Sequence, residues 1–169
     1  MLSVIGCIKG DDYKKVVSFA LANSDAVMLI FQSYGRPFKK RIKEIRHSLK
    51  PFRIASRTNH KMKGNGFEWP GTVSWDDNSL IHADVYRLAP EVEEYILSAE
   101  DIYSWIYPYR PEDIAFFDKG ECWLSTTAHE ALCDVFGLES EMAHLLDSLG
   151  IEYVRISEPC DRFVEDYPF

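Results

Sequence analysis

Residues 26–31 have the sequence Ala-Val-Met-Leu-Ile-Phe, the longest uninterrupted apolar run in the chain. Turn-forming residues border this run, with Asn-Ser-Asp at 23–25 before it and Tyr34-Gly35 after it. A short apolar run between turns is typical of a central strand that is buried on both faces. The run is far shorter than the roughly 20 residues that cross a bilayer. We therefore expect a globular protein built around this strand, with no membrane span.

Apolar side chains at helical spacing predict one helix on each side of this strand in the chain. The helix over 12–22 has its apolar face at Tyr13, Val16, Val17, Ala20 and Leu21. The helix that starts at Pro37 has its apolar face at Phe38, Ile42, Ile45 and Leu49. Short strands are expected at 4–8 and 52–57, and residues 59–66 are the best candidate for a mobile loop.

The second part of the chain predicts two hairpins and several helices. One hairpin joins 71–75 to 80–88 through Asp-Asp-Asn-Ser at 76–79, and the other joins 114–117 to 121–126 through Asp-Lys-Gly at 118–120. A helix is expected at 90–98 that is broken and resumes at 100–106, and further helices are expected at 129–136 and 138–149. A strand at 151–156 and an acidic-aromatic tail at 158–169 follow. We predict one α+β domain over residues 1–169, with a mixed or largely antiparallel sheet and about four to five helices.

Charge is unevenly distributed along the chain, whose net charge is −8. Residues 36–63 contain eleven Lys or Arg and one acid, whereas residues 64–169 contain five Lys or Arg and 23 acids. Such asymmetry indicates a charged partner, or two oppositely charged parts that face each other in the fold.

A basic stripe runs along the helix within residues 36–63. It consists of Lys39, Lys43, Arg46 and Lys50. Clustered cations of this kind are typical of a surface that binds nucleic acid phosphates. The alternative is a solvated helix face whose charge the acidic remainder balances, and we favour it because that remainder would repel nucleic acid.

Three tryptophans are candidate anchors for a binding partner: Trp75, Trp105 and Trp123. Tryptophan is enriched in the core of protein interfaces, but on hairpins it more often packs over a sheet face. We therefore favour the structural role for these tryptophans, and we expect Trp123 in particular to pack on the body of the domain.

His129 and Glu130 are the weak catalytic candidates. A histidine next to a carboxylate at a strand end is the arrangement of a general base with its partner. However, consecutive residues do not face each other on a helix, and Cys133 interrupts any His-Glu-x-x-His zinc pattern. We favour a structural role for both residues.

The remaining signals predict no cofactor and no metal. The four cysteines, at 7, 122, 133 and 160, have no paired short spacing, which predicts reduced thiols in a cytoplasmic protein. The glycines form neither a phosphate loop nor a dinucleotide fingerprint.

Residues 111–125 have the sequence Pro-Glu-Asp-Ile-Ala-Phe-Phe-Asp-Lys-Gly-Glu-Cys-Trp-Leu-Ser and precede His129-Glu130. This stretch resembles a block in small bacterial proteins of uncharacterised function. The resemblance covers about 20 of the 169 residues. It implies a bacterial or phage origin and a structural core around the second hairpin, and it brings no catalytic residues with it.

Our first functional hypothesis is a non-enzymatic module of the immunity or antitoxin type, which neutralises a partner protein such as a cognate toxin. An acidic face with aromatic anchors would steer onto a cationic surface and hold it. The alternative is a nucleic-acid or nucleotide-binding protein that uses residues 36–63. The second alternative is a small hydrolase that uses His129 with a carboxylate.

Overall fold

Strand β2, Ala26–Gln32, is buried along its whole length and lies in the interior of the main sheet. It is hydrogen-bonded to β6, Ile81–Arg87, on one side and to β7, Glu112–Asp118, on the other. The prediction of a buried strand over residues 26–31 is therefore confirmed. The computed structural model describes residues 1–59, 66–76 and 78–157. The predicted tail at 158–169, Cys160 and most of the predicted loop at 59–66 lie outside the described residues.

The other elements follow in chain order. The remaining strands are β1 Leu2–Val4, β3 Arg53–Thr58, β4 Phe67–Trp69, β5 Thr72–Ser74, β8 Glu121–Thr127, β9 Leu132–Val135 and β10 Tyr153–Arg155. The helices are α1 Gly10–Ala22, α2 Lys40–Ser48, α3 Pro90–Leu97 and α4 Glu139–Leu149. Short 3-10 turns occur at Lys50–Phe52 and Ala128–Glu130.

Eight strands form one sheet in the order β10-β1-β9-β8-β7-β2-β6-β3, and each of its strand pairs is antiparallel. Strands β4 and β5 form a separate two-stranded hairpin. The α+β class with a largely antiparallel sheet is thus confirmed. No helix in the described parts of the chain is long and apolar enough to cross a membrane.

Two apolar clusters lie on opposite faces of the sheet. The larger one packs the helices against one face and includes Tyr13, Val16, Ile42 and Ile96. The smaller one lies on the other face, where Phe67 and Trp69 of the β4–β5 hairpin cover strands β2, β6 and β7. The hairpin is therefore a third layer, which seals the centre of the second face.

Four predicted elements are wrong. The strand predicted at 4–8 is instead β1 at Leu2–Val4, which shares only Val4 with the prediction. Strand β5 pairs with β4 rather than with β6, so the first predicted hairpin does not form. The predicted helix at 100–106 is irregular, because Ile102 donates its N–H to the carbonyl of Ile8 and Lys9 bridges to Asp101. The predicted helix at 129–136 is instead a 3-10 turn followed by β9, which pairs with β1 and β8.

Candidate functional site

A β-bulge at the start of β7 brings two consecutive carboxylates to one edge of the sheet. Ile30 pairs with Glu112 and Leu29 pairs with Ile114, so Asp113 is the extra residue between them. Asp113 has φ of 56°, in the left-handed region that aspartate tolerates better than most side chains. Consecutive strand residues normally point to opposite faces, and the bulge breaks that alternation.

Asp113 is buried and held by two hydrogen bonds. The indole N–H of Trp69 donates to Oδ2 at 2.8 Å, and the backbone N–H of Ala128 donates to Oδ1 at 2.6 Å. Burial raises the pKa of Asp113 to about 7, although both hydrogen bonds lower it. The carboxyl of Asp113 is therefore able to exchange a proton near neutral pH.

Glu112 is 1% exposed, and its two carboxylate oxygens have different surroundings. Oε2 accepts a hydrogen bond from the backbone N–H of Tyr107 at 3.1 Å. Oε1 is buried and has no hydrogen-bond partner. Burial, followed by the charge of Glu112, raises the pKa of the nearby Tyr34 hydroxyl above its usual range.

His129 lies on the 3-10 turn after β8, with its side chain 45% exposed. Its Nδ1 is 3.5 Å from Oε1 of Glu112, and its Nε2 is 3.6 Å from Oε1 of Glu130. The structure thus brings together both predicted catalytic candidates. The expectation that Glu130 cannot orient His129 assumed a helix, and it is wrong because the segment is a turn.

Glu112, Asp113 and His129 form a cluster of possible metal ligands and proton acceptors. One ligand atom from each lies within 4.8 Å of the others. The imidazole and carboxylates are able to accept protons or to donate electron pairs to a cation. The sequence analysis missed Glu112 and Asp113. Their adjacency at 112–113, directly after Pro111, was visible, but the bulge that turns both to one edge depends on pairing with β2.

The predicted basic stripe is not uniform. Lys39, Lys43 and Lys50 are exposed, whereas Arg46 turns into the protein with its side chain 27% exposed. Arg46 donates Nε–H and Nη2–H to the buried carboxylate of Asp84, at 2.6 and 3.1 Å. The expectation that all four cations belong to a solvated face is therefore corrected for Arg46.

Asp84 is fully buried on β6 and accepts several further hydrogen bonds. Arg53 donates to Oδ2 at 3.1 Å, and Ser56 donates to Oδ1. Burial alone would raise the pKa of Asp84, but the hydrogen bonds and charges of Arg46, Ser56 and Arg53 together lower it. This carboxylate therefore neutralises part of the basic segment internally.

An open cavity of about 280 Å³ lies beside this network. Its lining includes Phe38, Lys43, His47, Lys50 and Arg53. Positive charge and an aromatic edge are features that a phosphate or nucleotide would use. Arg46 and Arg53, which also line the cavity, form ion pairs with Asp84, and this reduces the positive charge available to a ligand.

The three candidate tryptophans have different environments. Trp105 is 0% exposed and Trp123 is 5% exposed, so neither side chain is available to a partner. Trp123 donates its indole N–H to Oγ of Ser24 at 2.9 Å and packs edge-on against Phe19. The expectation that Trp123 packs on the body of the domain is confirmed by this burial. Trp75 is 73% exposed, so the structural role favoured for it is wrong.

Trp75 lies just after β5 on the outer side of the hairpin. A Cβ added to Gly66 would be 3.2 Å from the Trp75 ring and 2.7 Å from Cγ1 of Val73. The ring therefore lies across Gly66, in a space that depends on the absence of a side chain there. The neighbouring exposed residues of the hairpin are Glu68 and Val73.

No protein family, curated protein or solved structure matches this chain.

Proposed function

We propose that this chain is a non-enzymatic protein-binding module of the immunity or antitoxin type, which neutralises a partner protein through an acidic face that contains Trp75. The observation that carries the proposal is the 73% exposure of Trp75 together with its position across Gly66. A large aromatic side chain that is already positioned loses little entropy on binding, which is why such residues dominate interface energetics.

The charge distribution supports the same proposal. Residues 64–169, which include Trp75, contain 23 acids and five Lys or Arg. Glu68 is exposed on the same side of the hairpin as Val73, which lies opposite it in the strand pair. An acidic surface raises the rate of encounter with a cationic protein and selects against acidic ones.

A growth-rescue experiment tests the proposal. The product of the reading frame beside the gene is expressed in bacteria with wild type, with Trp75→Ala, or with Gly66→Ala. Wild type is expected to restore growth. Both variants should fail, because one removes the anchor and the other displaces it. Tyr109→Ala is the matched control, since Tyr109 is 70% exposed elsewhere on the chain.

The variants must remain folded for this result to count. Trp75 is mostly exposed, so Trp75→Ala should change the free energy of unfolding by less than about 1 kcal/mol. Full rescue by folded Trp75→Ala would contradict the proposal, as would a neighbouring product that is harmless without this chain.

The alternative function is nucleic-acid or nucleotide binding through residues 36–63, favoured by the cavity beside Lys43 and Lys50. Its distinguishing property is salt dependence, because each phosphate contact that is lost lowers the logarithmic slope of affinity against salt by about 1. Replacing Lys39, Lys43 and Lys50 by Gln, with Arg46 retained, tests this alternative without disturbing Asp84. Sub-micromolar binding to RNA or DNA at physiological salt that is lost in this variant would favour nucleic-acid binding over protein binding.

The second alternative is a small hydrolase, favoured by the 3.5 Å separation between His129 Nδ1 and Oε1 of Glu112, a buried oxygen without a hydrogen-bond partner. A carboxylate at that distance is suited to hold a histidine that acts as a general base. Hydrolysis of generic ester or phosphate-ester substrates, abolished in His129→Ala and retained in Trp75→Ala, would favour this alternative over protein binding.

A further inference from the structure

We propose that Glu112, Asp113 and His129 form a binding site for one divalent transition-metal ion, of the Mn²⁺ or Zn²⁺ kind. This inference goes beyond the proposed protein-binding function and does not depend on it. Two carboxylates and one imidazole make a mixed oxygen and nitrogen donor set. Imidazole favours Zn²⁺ and its neighbours over Mg²⁺ and Ca²⁺, and carboxylates are the ligands that Mn²⁺ accepts readily.

The observation that points to a ligand is the buried Oε1 of Glu112, which has no hydrogen-bond partner. Glu112 is 1% exposed, and its Oε1 has no hydrogen-bond partner. Buried carboxylate oxygens are normally hydrogen-bonded or bound to a cation, because an unsatisfied one is costly. This oxygen lies 3.5 Å from His129 Nδ1. A cation between the two atoms would satisfy both.

The spacing of the three groups fits a single ion. Ligands about 2.1 Å from a tetrahedral metal lie about 3.4 Å from one another. The Glu112 to His129 separation is 3.5 Å, and all three ligand atoms lie within 4.8 Å of one another. The Asp113 carboxylate therefore has to move slightly closer to Glu112 and His129 before all three can bind one ion. Each of its oxygens accepts one hydrogen bond and keeps a lone pair for a metal.

The surroundings of the three ligands resemble an orienting outer shell. Glu130 faces Nε2 of His129 at 3.6 Å, on the ring edge away from Glu112. Trp69 and Ala128 fix Asp113, and the backbone of Tyr107 fixes the second oxygen of Glu112. Metal-bound histidines usually offer their other ring nitrogen to a carboxylate or carbonyl, which sets the tautomer. The exposed edge of His129 gives an ion access from solvent.

The site is tested by titrating the full chain, freed of metal by a chelator, with MnCl₂ and separately with ZnCl₂ in a calorimeter. MgCl₂ and CaCl₂ serve as the harder comparison ions. Mn²⁺ is the primary probe because it has little affinity for the exposed thiol of Cys7. We expect one Mn²⁺ per chain, bound more tightly than Mg²⁺ or Ca²⁺.

Variants then locate the ion. His129→Ala and Glu112→Gln should each weaken Mn²⁺ binding at least about 10-fold, and Glu130→Ala should weaken it less. His144→Ala is the matched control, because His144 is exposed on α4 and outside the cluster. If Glu112→Gln fails to fold, His129→Ala still tests the metal site, because the half-exposed His129 side chain is not part of the apolar core. Unchanged affinity in folded His129→Ala would overturn the proposal.

Indole resonances give a second readout that needs neither a partner nor an activity. Trp69 Nε1 is 2.8 Å from Oδ2 of Asp113, whereas Trp123 donates to Ser24, next to the opposite end of β2. Substoichiometric Mn²⁺ should broaden the Trp69 indole resonance well before that of Trp123. Equal broadening, or no saturable binding of Mn²⁺ or Zn²⁺, would reduce the cluster to an ordinary ion pair between His129 and Glu112 and overturn the site.

Discussion

Arg46 and Lys43 lie one turn apart on α2, and only the side chain of Arg46 turns to the buried carboxylate of Asp84. Arg46→Gln should lower the free energy of unfolding by about 2 kcal/mol, because it removes two hydrogen bonds to a buried charge that Arg53 still pairs. Lys43→Gln, the matched control, should change it by less than about 0.5 kcal/mol. Urea unfolding of both variants measures the difference. Equal stabilities would contradict the role given to Arg46.

Asp84 makes the stability of the fold depend on pH. Its pKa is lowered in the native state, so its contribution is complete above the unfolded value of about 3.9 and is lost as pH falls through the native value. Asp84→Asn should cost about 3 kcal/mol near pH 7, because two arginines lose their buried charge partner. The difference between wild type and this variant should shrink below about pH 4. A difference that stays constant with pH would contradict this account.

The partners of these side chains could not be identified from the sequence, because their contacts join residues that are far apart in the chain. Arg46 and its partner are 38 positions apart, and Trp69 and Asp113 are 44 apart. Helical spacing places Arg46 beside Lys43 and Lys50 but carries no information about which cation meets a buried acid. His129 and Glu130 were visible as candidates, whereas Glu112 became their neighbour through the bulge in β7.

At the scale of elements, the β4–β5 hairpin connects the Glu112–Asp113–His129 cluster with the proposed binding face around Trp75. Its inner face places Trp69 on Asp113, and its outer face carries Val73 and the exposed Trp75. Oγ1 of Thr72 lies 3.0 Å from Oγ1 of Thr127, which fixes the hairpin to the end of β8. Displacement of the hairpin would therefore disturb the cluster and the binding face together.

The packing of this hairpin is testable with one pair of substitutions. Phe67→Ala should lower the free energy of unfolding by about 3–5 kcal/mol, because Phe67 is 2% exposed and fills the smaller apolar cluster. Val73→Ala on the outer face should cost less than about 1 kcal/mol. Chemical denaturation of both proteins measures the contrast. A loss below about 1 kcal/mol in Phe67→Ala would show that the hairpin does not seal the second face.

The turn of this hairpin was present in the sequence and was overlooked. Trp69 pairs with Thr72, which leaves Pro70-Gly71 as a two-residue connection, and Gly71 has φ of 85°. Proline followed by a glycine with positive φ is typical of a type II turn. The prediction used Asp-Asp-Asn-Ser at 76–79 as the turn instead. Pro-Gly was the stronger local signal, because it specifies the backbone angles of both central positions.

Strand β9 could not be assigned from its own sequence. Residues 129–136 are a short mixed segment that fits one helical face about as well as a strand. Its pairing with β8 on one side and β1 on the other decides the outcome, and both contacts are long-range. By contrast, β2 was predictable because a continuous apolar run between turns leaves little alternative to a central strand.

For the whole molecule, the fold class followed from the order of elements and the function did not. Two helix–strand alternations followed by strand-rich sequence argue against a regular doubly wound sheet, and the antiparallel sheet agrees with that inference. The chemistry of the proposed binding face depends on which tryptophan side chain is exposed to solvent. Trp75 and Trp105 were equivalent candidates in the sequence, yet one is 73% exposed and the other 0%.

The charge of the whole molecule predicts how the partner associates. If an acidic face steers the encounter, raising the salt concentration should slow association and leave dissociation almost unchanged, because attraction is screened beyond about 8–10 Å at physiological ionic strength. Glu68→Lys should slow association further, since Glu68 is exposed beside Val73. Stopped-flow mixing measures both rates. Association that is independent of salt would contradict electrostatic steering.

The affinity of the purified chain for its purified neighbouring gene product, compared between wild type and Trp75→Ala, tests the central claim most directly. The account predicts a stable complex whose dissociation constant rises by at least about 30-fold in Trp75→Ala, as expected for an interface anchor worth about 2 kcal/mol. Tyr109→Ala should bind like wild type, since Tyr109 is exposed outside the hairpin. Equal affinity of wild type and Trp75→Ala for that product would contradict the proposed binding face.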